Sequence, residues 1–350
     1  MVGLLRAIFA AIHTAWMVCL MLLLFWLAAL GWRGLLGATN WLGSDPTRDR
    51  LYEQGAALPG PDLSPFPPEK RVISNSVGMT LILVPPGECV VGSPSYEEGH
   101  NPDEIPHHAR ITRAFYLGAH EVTVRQFRQF VAHSGYVTDR DRCPCLSSHT
   151  EGVLGLGPGK SLELTWCDPG FPQTEDHPVV FVSWQDAMAF CDWLSRRERC
   201  SYRLPTEEEW EYACRAGTAQ ESLVHGYADE WAHVARFNIR DPSTRGDIQI
   251  QGWGDGFQFT SPVGSFYPSS LGLHDMLGNV WEWCSDWYDE KYWGSMPADD
   301  LQGPKSGRER SVRGGGWMDD PTRVRPANRA ARPPSQGWHD VGFRVARDYP

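Results

Sequence analysis

One apolar segment near the amino terminus determines where a folded domain can begin in this chain of 350 residues. Residues 7–32 are apolar apart from His13 and Thr14, and none of them carries a formal charge. A helix of about 20 apolar residues spans a bilayer, whereas a cleaved signal peptide has a shorter apolar centre followed by a small-x-small site. Residues 29–31 match such a site poorly. We therefore expect residues 1–33 to form an uncleaved transmembrane helix that anchors a single-pass membrane protein.

Cysteines and basic residues bear on which side of the membrane the remaining chain occupies. Eight cysteines follow the apolar segment, and they are compatible with disulfides outside the cytoplasm or with free, buried thiols. Arg6 precedes the segment and Arg33, Arg48 and Arg50 follow it. The count of basic residues therefore leans toward a cytoplasmic domain by a small margin. We expect an extracytoplasmic domain and leave the disulfide pairing open.

Proline and glycine separate the anchor from one large folded unit. Residues 56–61 read AALPGP and residues 65–68 read PFPP, and proline blocks a helix and favours an extended, semi-rigid chain. We therefore assign residues 34–70 to a linker. Residues 71–350 show no second change in composition and no internal repeat, which predicts one domain. The 35 Gly, 27 Pro and 16 Trp residues of the chain favour a loop-rich domain packed around aromatic side chains over a helical bundle.

The charge of the chain limits the classes of partner that it can bind. A formal net charge of −11 argues against a nucleic-acid-binding protein, which needs a basic surface. Four arginines nevertheless lie close together near the carboxyl terminus: Arg323, Arg325, Arg329 and Arg332. They could bind an anionic ligand bidentately. We favour instead salt bridges to nearby acidic residues, namely Asp319, Asp320 and Asp340.

Short patterns predict strands and helices in the folded unit. Apolar runs indicate strands over residues 79–84, 88–93 and 111–117, and the charged stretch between the last two reads as a surface loop over residues 97–108. Three helices are predicted to begin just after the N-cap residues Thr123, Ser183 and Thr206. The last two are followed at the third position by an acidic residue, which completes a capping box.

Several strings in the folded unit occur in a fixed order. They read RLPTEEEWEYA at 203–213, GNVWEW at 278–283, RGGGW at 313–317 and GFR at 342–344. Shorter strings at residues 78–79, 115–116, 121–123, 177–180 and 183–184 extend the set over about residues 75–346. Taken together, the set resembles the formylglycine-generating enzyme (sulfatase-modifying factor) family. The resemblance implies an α+β, loop-rich fold of the C-type-lectin-like type.

The resemblance also implies an activity, and one loop of this chain departs from it. The best-known members of the family oxidise a cysteine of a sulfatase to formylglycine, with two thiolates of one loop holding Cu(I). Soft thiolates suit Cu(I). In this chain Asp319 and Val324 occupy the two cysteine positions, Gly316 replaces a serine, and no cysteine follows Cys284. Because a carboxylate is a hard ligand and valine is none, we predict no copper site of the family's kind and no catalytic residue in this loop.

Two structural calcium ions are implied by the resemblance. The residues that match the first site are Asn238, Ile239, Asp255 and Phe257, although the loop between the two pairs leaves their alignment open. The residues that match the second site without a gap are Asp275, Gly278, Val280 and Glu282. Ca²⁺ takes six to eight oxygens, so a mixture of carboxylates and backbone carbonyls suits it. The alternative is that Asp275 and Glu282 only cap turns or pair with arginine.

Two functions remain open, and they belong to different classes. The first is a membrane-anchored binding or scaffold module, stabilised by calcium, which takes a peptide, protein or small-molecule ligand in a lectin-like cleft. The second is an oxidoreductase of the same family that uses a different metal site for formylglycine formation or a related oxidation of a sulfur compound or small molecule. Whether the protein is an enzyme therefore stays open, and the redox-metal content of the protein separates the two.

Overall fold

The computed structural model of this chain describes residues 62–142, 164–215, 237–240, 255–292 and 299–350. All of them belong to one compact unit, Thr47–Pro350. The predicted anchor over residues 1–33 and most of the predicted linker lie outside the described residues. Within the described ranges, no helix combines the length and the apolar character that crossing a membrane requires.

The described part of the chain forms a mixed α/β domain with three sheets. In chain order its strands are β1 (Val72–Ser74), β2 (Thr80–Val84), β3 (Gly87–Val91), β4 (His107–Ile111), β5 (Phe115–Gly118), β6 (Tyr202–Arg203), β7 (Trp281–Trp287), β8 (Arg310–Arg313), β9 (Arg329–Arg332), β10 (Val341–Gly342) and β11 (Ala346–Asp348). One sheet has the order β1-β2-β5-β11-β6, a second has the order β10-β7-β8-β9, and β3 pairs with β4. All pairs are antiparallel except β10 with β7.

Both faces of the five-stranded sheet are buried, which explains the unbroken apolar run in β2. Leu81 and Leu83 pack in one apolar cluster, and Ile82 and Val84 pack in another. Successive side chains of a strand point to opposite faces, so a strand covered on both sides needs apolar residues at every position. The prediction of a strand over residues 79–84 is therefore confirmed, with bounds one residue narrower at its start.

Four α-helices are described: α1 (Val124–Ser134), α2 (Asp139–Arg142), α3 (Trp184–Glu198) and α4 (Glu207–Cys214). Thr123, Ser183 and Thr206 cap α1, α3 and α4 as predicted, and each cap is a complete capping box. Helix α1 ends at Gly135, whose φ of 66° lies in the left-handed region. Helices α1 and α3 join the first apolar cluster through a set of aromatic rings that includes Phe127, Phe130, Phe190, Trp193 and Phe343.

The charged stretch predicted as a surface loop is partly a buried one, so that prediction is wrong in part. Its last residues belong to β4, and Glu97, Asp103 and Glu104 in it are buried. Glu104 accepts hydrogen bonds from Nη1 and Nη2 of Arg325 at 2.8 and 2.6 Å. Burial alone would raise the pKa of Glu104, but the Arg325 guanidinium outweighs burial and holds it below its usual value.

For two of the four clustered arginines, Arg325 and Arg329, the predicted partners are also wrong. Arg325 binds Glu104, and Arg329 binds Glu207 with 2.5 Å between Nε and Oε1. Asp320 instead pairs with Arg240 at 3.4 Å. A buried guanidinium needs a buried acceptor, and the acids that satisfy this need come from distant segments of the chain rather than from the same loop.

Candidate functional site

The loop after β8 contains both positions at which the resemblance places copper-binding cysteines. We refer to residues 314–324 as the glycine loop. Gly314 and Gly315 have φ angles of 98° and 77°, which glycine adopts without strain. A Cβ atom at Gly315 would lie 2.9 Å from Cγ2 of Val324, so glycine also lets the two ends of the loop approach each other. A 3-10 helix, Pro321–Arg323, precedes Val324.

Asp319 is held in place by two N–H groups. Its Oδ2 accepts hydrogen bonds from Nε1 of Trp281 at 2.7 Å and from the backbone N–H of Gly316 at 3.0 Å. Burial raises the pKa of Asp319, and the negative charge of Asp340 raises it further. The carboxylate therefore fixes the conformation of the glycine loop and is a hard oxygen ligand where a soft thiolate would be required.

Val324 belongs to the apolar core. It is 2% exposed and packs in the cluster that contains Trp210, Met276 and Leu277. The cysteines of the described residues lie elsewhere and form no disulfide there; they are Cys89, Cys167, Cys191, Cys200, Cys214 and Cys284. Cys191 and Cys214 are almost fully buried in apolar clusters, where they serve as small side chains.

Aromatic rings surround the glycine loop. The ring of Trp317 lies 5.3 Å from that of Phe259, 6.0 Å from that of Phe171 and 5.8 Å from that of His339, measured between centroids. Nε2 of His339 lies 3.0 Å from Sδ of Met318. The loop thus presents an aromatic environment with one carboxylate, one imidazole and one thioether.

The first set of predicted calcium residues is brought together, although part of the loop between them lies outside the described residues. The carboxylate of Asp255 accepts hydrogen bonds from the backbone N–H groups of Ile239 at 3.0 Å and Phe257 at 2.8 Å. The Oδ1 atom of Asn238 is buried and has no hydrogen-bond partner within the described residues. An unpartnered buried oxygen beside a carboxylate fits a bound cation.

The second set forms a tight turn that packs on the first. Asp275 and Gly278 have φ angles of 53° and 78°, and a Cβ atom at Gly278 would lie 2.5 Å from the carbonyl oxygen of Asn238. Val280 is buried. Both carboxylate oxygens of Glu282 accept hydrogen bonds from Arg344 at 2.7 Å, so this side chain has a cationic partner in the structure.

Sequence reasoning missed one acidic residue at this turn, Glu121. Its Oε1 accepts a hydrogen bond from Nδ2 of Asn279 at 3.0 Å, and its Oε2 is buried without a partner in the described residues. Burial raises the pKa of Glu121 well above its usual value, and the nearby charge of Asp275 adds to this effect. No spacing in the sequence links Glu121 to a turn more than 150 residues later, so only the folded chain reveals the pair.

Side chains alone do not make a metal centre in this region. Among the described residues, no three His, Cys, Asp or Glu side chains come together as a group that could hold a metal ion. A calcium ion here would therefore also need oxygens of the kind predicted, namely the Asn238 amide and the backbone carbonyls of Ile239, Phe257, Gly278 and Val280. The unpartnered oxygens of Asn238 and Glu121 fit this requirement.

Comparison with known proteins decides the family. The model of the sulfatase-modifying factor enzyme 1-like domain matches residues 70–349. The chain belongs to the sulfatase-modifying factor family. The formylglycine-generating enzyme of Streptomyces coelicolor is 33% identical to it over 84% of this chain and 94% of the relative. The formylglycine-generating enzyme of Bos taurus is 30% identical to this family member over 85% of the chain and 80% of the relative.

A solved structure extends the similarity of this sulfatase-modifying factor domain to three dimensions. PvdO from Pseudomonas aeruginosa aligns with a TM-score of 0.63 and 27% identity, covering 79% of this chain and 98% of PvdO. The mixed α/β, loop-rich architecture is therefore that of the family. The family fold therefore forms in this chain with Asp319 and Val324 in the glycine loop.

Proposed function

We propose that this sulfatase-modifying factor domain does not carry out copper-dependent formylglycine formation and acts as a calcium-stabilised binding or scaffold module. The observation that carries the proposal is the pair Asp319 and Val324 in the glycine loop. The Asp319 carboxylate is bound by Trp281 and Gly316, and Val324 is buried in the apolar core. Neither side chain supplies the soft sulfur that Cu(I) requires.

The ligand of this module would occupy the lectin-like cleft around the glycine loop. Phe259, Met318 and Asp319 are partly exposed at this loop and offer a ring, a thioether and a carboxylate to a ligand, whereas Trp317 and His339 are buried. Small-molecule and peptide sites commonly combine such surfaces with a few placed polar groups. The proposal includes a peptide, a protein or a small molecule as ligand. It also includes a membrane anchor at residues 1–33 that tethers the domain, with its folded part outside the cytoplasm.

Calcium is expected to stabilise the turns that support the glycine loop. Asn279 connects these turns to the glycine loop. Its side chain contacts Asn238 and Glu121, and its backbone carbonyl oxygen accepts a hydrogen bond from the backbone N–H of Trp317 at 2.9 Å. Chelation with EDTA should lower the melting temperature of the full-length protein by about 5–10 °C, since a ligand at about 100 times its Kd contributes about 2.7 kcal/mol. Added Ca²⁺ should restore it.

Matched variants distinguish bound calcium from a general effect of EDTA. Asp255→Asn and Asp275→Asn should each reduce the loss of melting temperature on chelation. Asp299→Asn, which changes an exposed carboxylate paired with Arg110, should leave the loss unchanged. A melting temperature that responds equally in all three variants, or not at all in the natural chain, would contradict a structural role for calcium at these turns.

One contact favours the second candidate function, an oxidoreductase with a different metal site. Met318 and His339 place a thioether and an imidazole 3.0 Å apart at the glycine loop, and both groups can bind copper. Metal analysis of the full-length protein after exposure to Cu(I) and Fe(II) separates the two functions. Copper or iron that is stoichiometric in the natural chain and lost in Met318→Leu and His339→Gln would favour the oxidoreductase. Copper that persists in both variants would belong to thiols elsewhere, and the binding module would stand.

A further inference from the structure

A concave site lies apart from the glycine loop and from the candidate calcium turns. It is a groove of about 710 Å³ at the ends of β6, β7 and β11 and the starts of β5 and β8. Its lining includes Arg310, Trp287, Lys305, Arg113 and Asp286 and none of the residues that the proposed function uses. A volume of this size suits a small organic ligand or a short peptide segment.

Arg310 on the wall of this groove is held rigidly between two tryptophans. Its guanidinium carbon lies 3.8 Å from the ring centroid of Trp184 and 3.5 Å from that of Trp287. Trp287 is its cross-strand partner in β7, and Nη1 of Arg310 donates to the carbonyl oxygen of Ser285 at 2.5 Å. The guanidinium is therefore preorganised, so little side-chain entropy would be lost when it binds an acceptor.

The positive charge of Arg310 has no carboxylate in ion-pair contact among the described residues. Burial lowers the pKa of Arg310 to about 10, and only the more distant charge of Asp286 opposes this effect. The Nε atom of Arg310 is buried without a hydrogen-bond partner in the same residues. A cation that is desolvated without a counter-charge is destabilising by itself and is relieved by an anion from outside.

Arg332, which lies opposite Arg310 on β9, is a second arginine without a carboxylate in ion-pair contact among the described residues. The register of β8 with β9 places Arg310 opposite Arg332, so both side chains project from the same face with Cβ atoms about 5 Å apart. Arg332 stacks on Trp338 at 5.0 Å, and it too forms no ion pair in the described part of the chain. Like charges directly opposite each other in a sheet are unfavourable unless something of opposite charge lies between or above them.

The carboxylates in the groove already have partners. Glu209 and Asp348 bind Arg203, Asp286 accepts the backbone N–H groups of Glu207 and Gly303, and Asp300 accepts Thr112. In contrast, Arg113 and Lys305 at the rim are exposed and make no ion pair with any described residue. Arg310, Arg113 and Lys305 are therefore the cations of the groove that have no carboxylate in ion-pair contact among the described residues, while the acidic side chains of the groove already accept hydrogen bonds.

We propose that this groove binds an oxyanion group, a carboxylate or a phosphate, of a small organic ligand through Arg310 on its wall. Arg332, which lies opposite Arg310 but does not line the groove, adds only its charge. Arg310 provides a fixed N–H fork, Arg332 reinforces the positive charge, and Lys305 and Arg113 attract the ligand at the rim. The site is independent of the glycine loop and of any calcium ion.

Titration of the full-length protein with inorganic phosphate, sulfate and acetate at constant ionic strength tests the proposal. We expect saturable binding of at least one of these anions with a Kd of about 1 mM or tighter, and the preferred anion distinguishes a phosphate site from a carboxylate site. Arg310→Gln should weaken binding about tenfold or more, and Arg332→Gln, which removes a charge outside the groove lining, about twofold to threefold. Lys305→Gln, a rim substitution with no described contact, should weaken it about twofold to threefold.

Arg128→Gln is the matched control. Arg128 also stacks on a tryptophan, Trp166, but it already pairs with Glu175 at 3.0 Å and lies outside the groove. The Arg128→Gln variant should bind the anion with unchanged affinity. If Arg310→Gln fails to fold, the anion affinity of Lys305→Gln and Arg113→Gln tests the proposal instead, because both side chains are exposed. The absence of saturable binding, or equal affinity in the natural chain and in all groove variants, would overturn the proposal.

Discussion

Replacing Arg344 with methionine should lower the free energy of unfolding by about 3–5 kcal/mol, the loss typical when one partner of a buried ion pair is removed. Arg344 is fully buried, and it donates to both oxygens of Glu282 and to the carbonyl oxygens of Gly118 and His274. Methionine fills a similar volume but leaves two carbonyl groups without this donor and the buried Glu282 carboxylate without its cation, although Nε1 of Trp210 still donates to it.

Urea unfolding of the full-length protein, followed by tryptophan fluorescence, measures this loss. The matched control is Arg110→Met, because Arg110 pairs with Glu88 and Asp299 at a surface where all three side chains are more than half exposed. Such exposed pairs contribute about 0–1 kcal/mol. A loss at Arg344 as small as that at Arg110 would show that the Arg344–Glu282 pair does not support the turn of the second predicted calcium site.

Glutamine substitutions at two adjacent glutamates at the start of α4 should change the free energy of unfolding in opposite directions. Glu207 binds Arg329 and also approaches Arg313, whereas Glu208 accepts a hydrogen bond from the backbone N–H of Leu301 and has no arginine partner among the described residues. Burial alone would raise the pKa of Glu207, but the two arginines outweigh it and hold the pKa below its usual value. Burial raises the pKa of Glu208 to about 9.

The sign of each effect follows from these pKa values. The stability that Glu207 contributes is present above its unfolded pKa and is lost as the pH falls through its folded pKa. Glu208 behaves in the opposite way, because the unfolded chain releases its proton near pH 4.5 while the folded chain keeps it up to about pH 9. The natural protein therefore loses stability as the pH rises through this window, whereas a glutamine at position 208 does not titrate.

Glu208→Gln should accordingly stabilise the protein by about 2–4 kcal/mol at pH 7, and this gain should vanish near pH 4. Glu207→Gln should destabilise it by about 3–5 kcal/mol at pH 7, because the buried Arg329 and Arg313 both lose a carboxylate partner. Urea unfolding at several pH values between 4 and 9 gives both numbers. Two losses of equal size, or a gain at position 208 that does not depend on pH, would refute this assignment of charge states.

The elements that the sequence predicted well are those that depend on local patterns. The capping boxes at Ser183 and Thr206 need only residues three positions apart, and the strand over Thr80–Val84 needs only an apolar run. The ordered family strings also located the glycine loop and the two predicted calcium turns. These features were accessible because each is encoded within a short segment of chain.

The buried charges were not accessible in this way. Glu104 and Arg325 are separated by 221 residues, and Glu282 and Arg344 by 62 residues. A charged residue at a given position looks the same in sequence whether it faces solvent or a buried partner, so the stretch around Glu104 read as a surface loop. Glu121 was missed for the same reason, because its neighbour Asp275 becomes visible only once β5 and the turn before β7 are in place.

The most direct test of the central claim is the fate of a cysteine in a sulfatase peptide. The full-length protein would be incubated with the peptide, Cu(I) and oxygen, with the formylglycine-generating enzyme of Streptomyces coelicolor as positive control, and the peptide mass would be followed. Asp319 and Val324 predict that the thiol remains intact with this protein while the control converts it to the aldehyde. Conversion of the thiol to the aldehyde by this protein would contradict the claim that it has lost the family's copper-dependent chemistry.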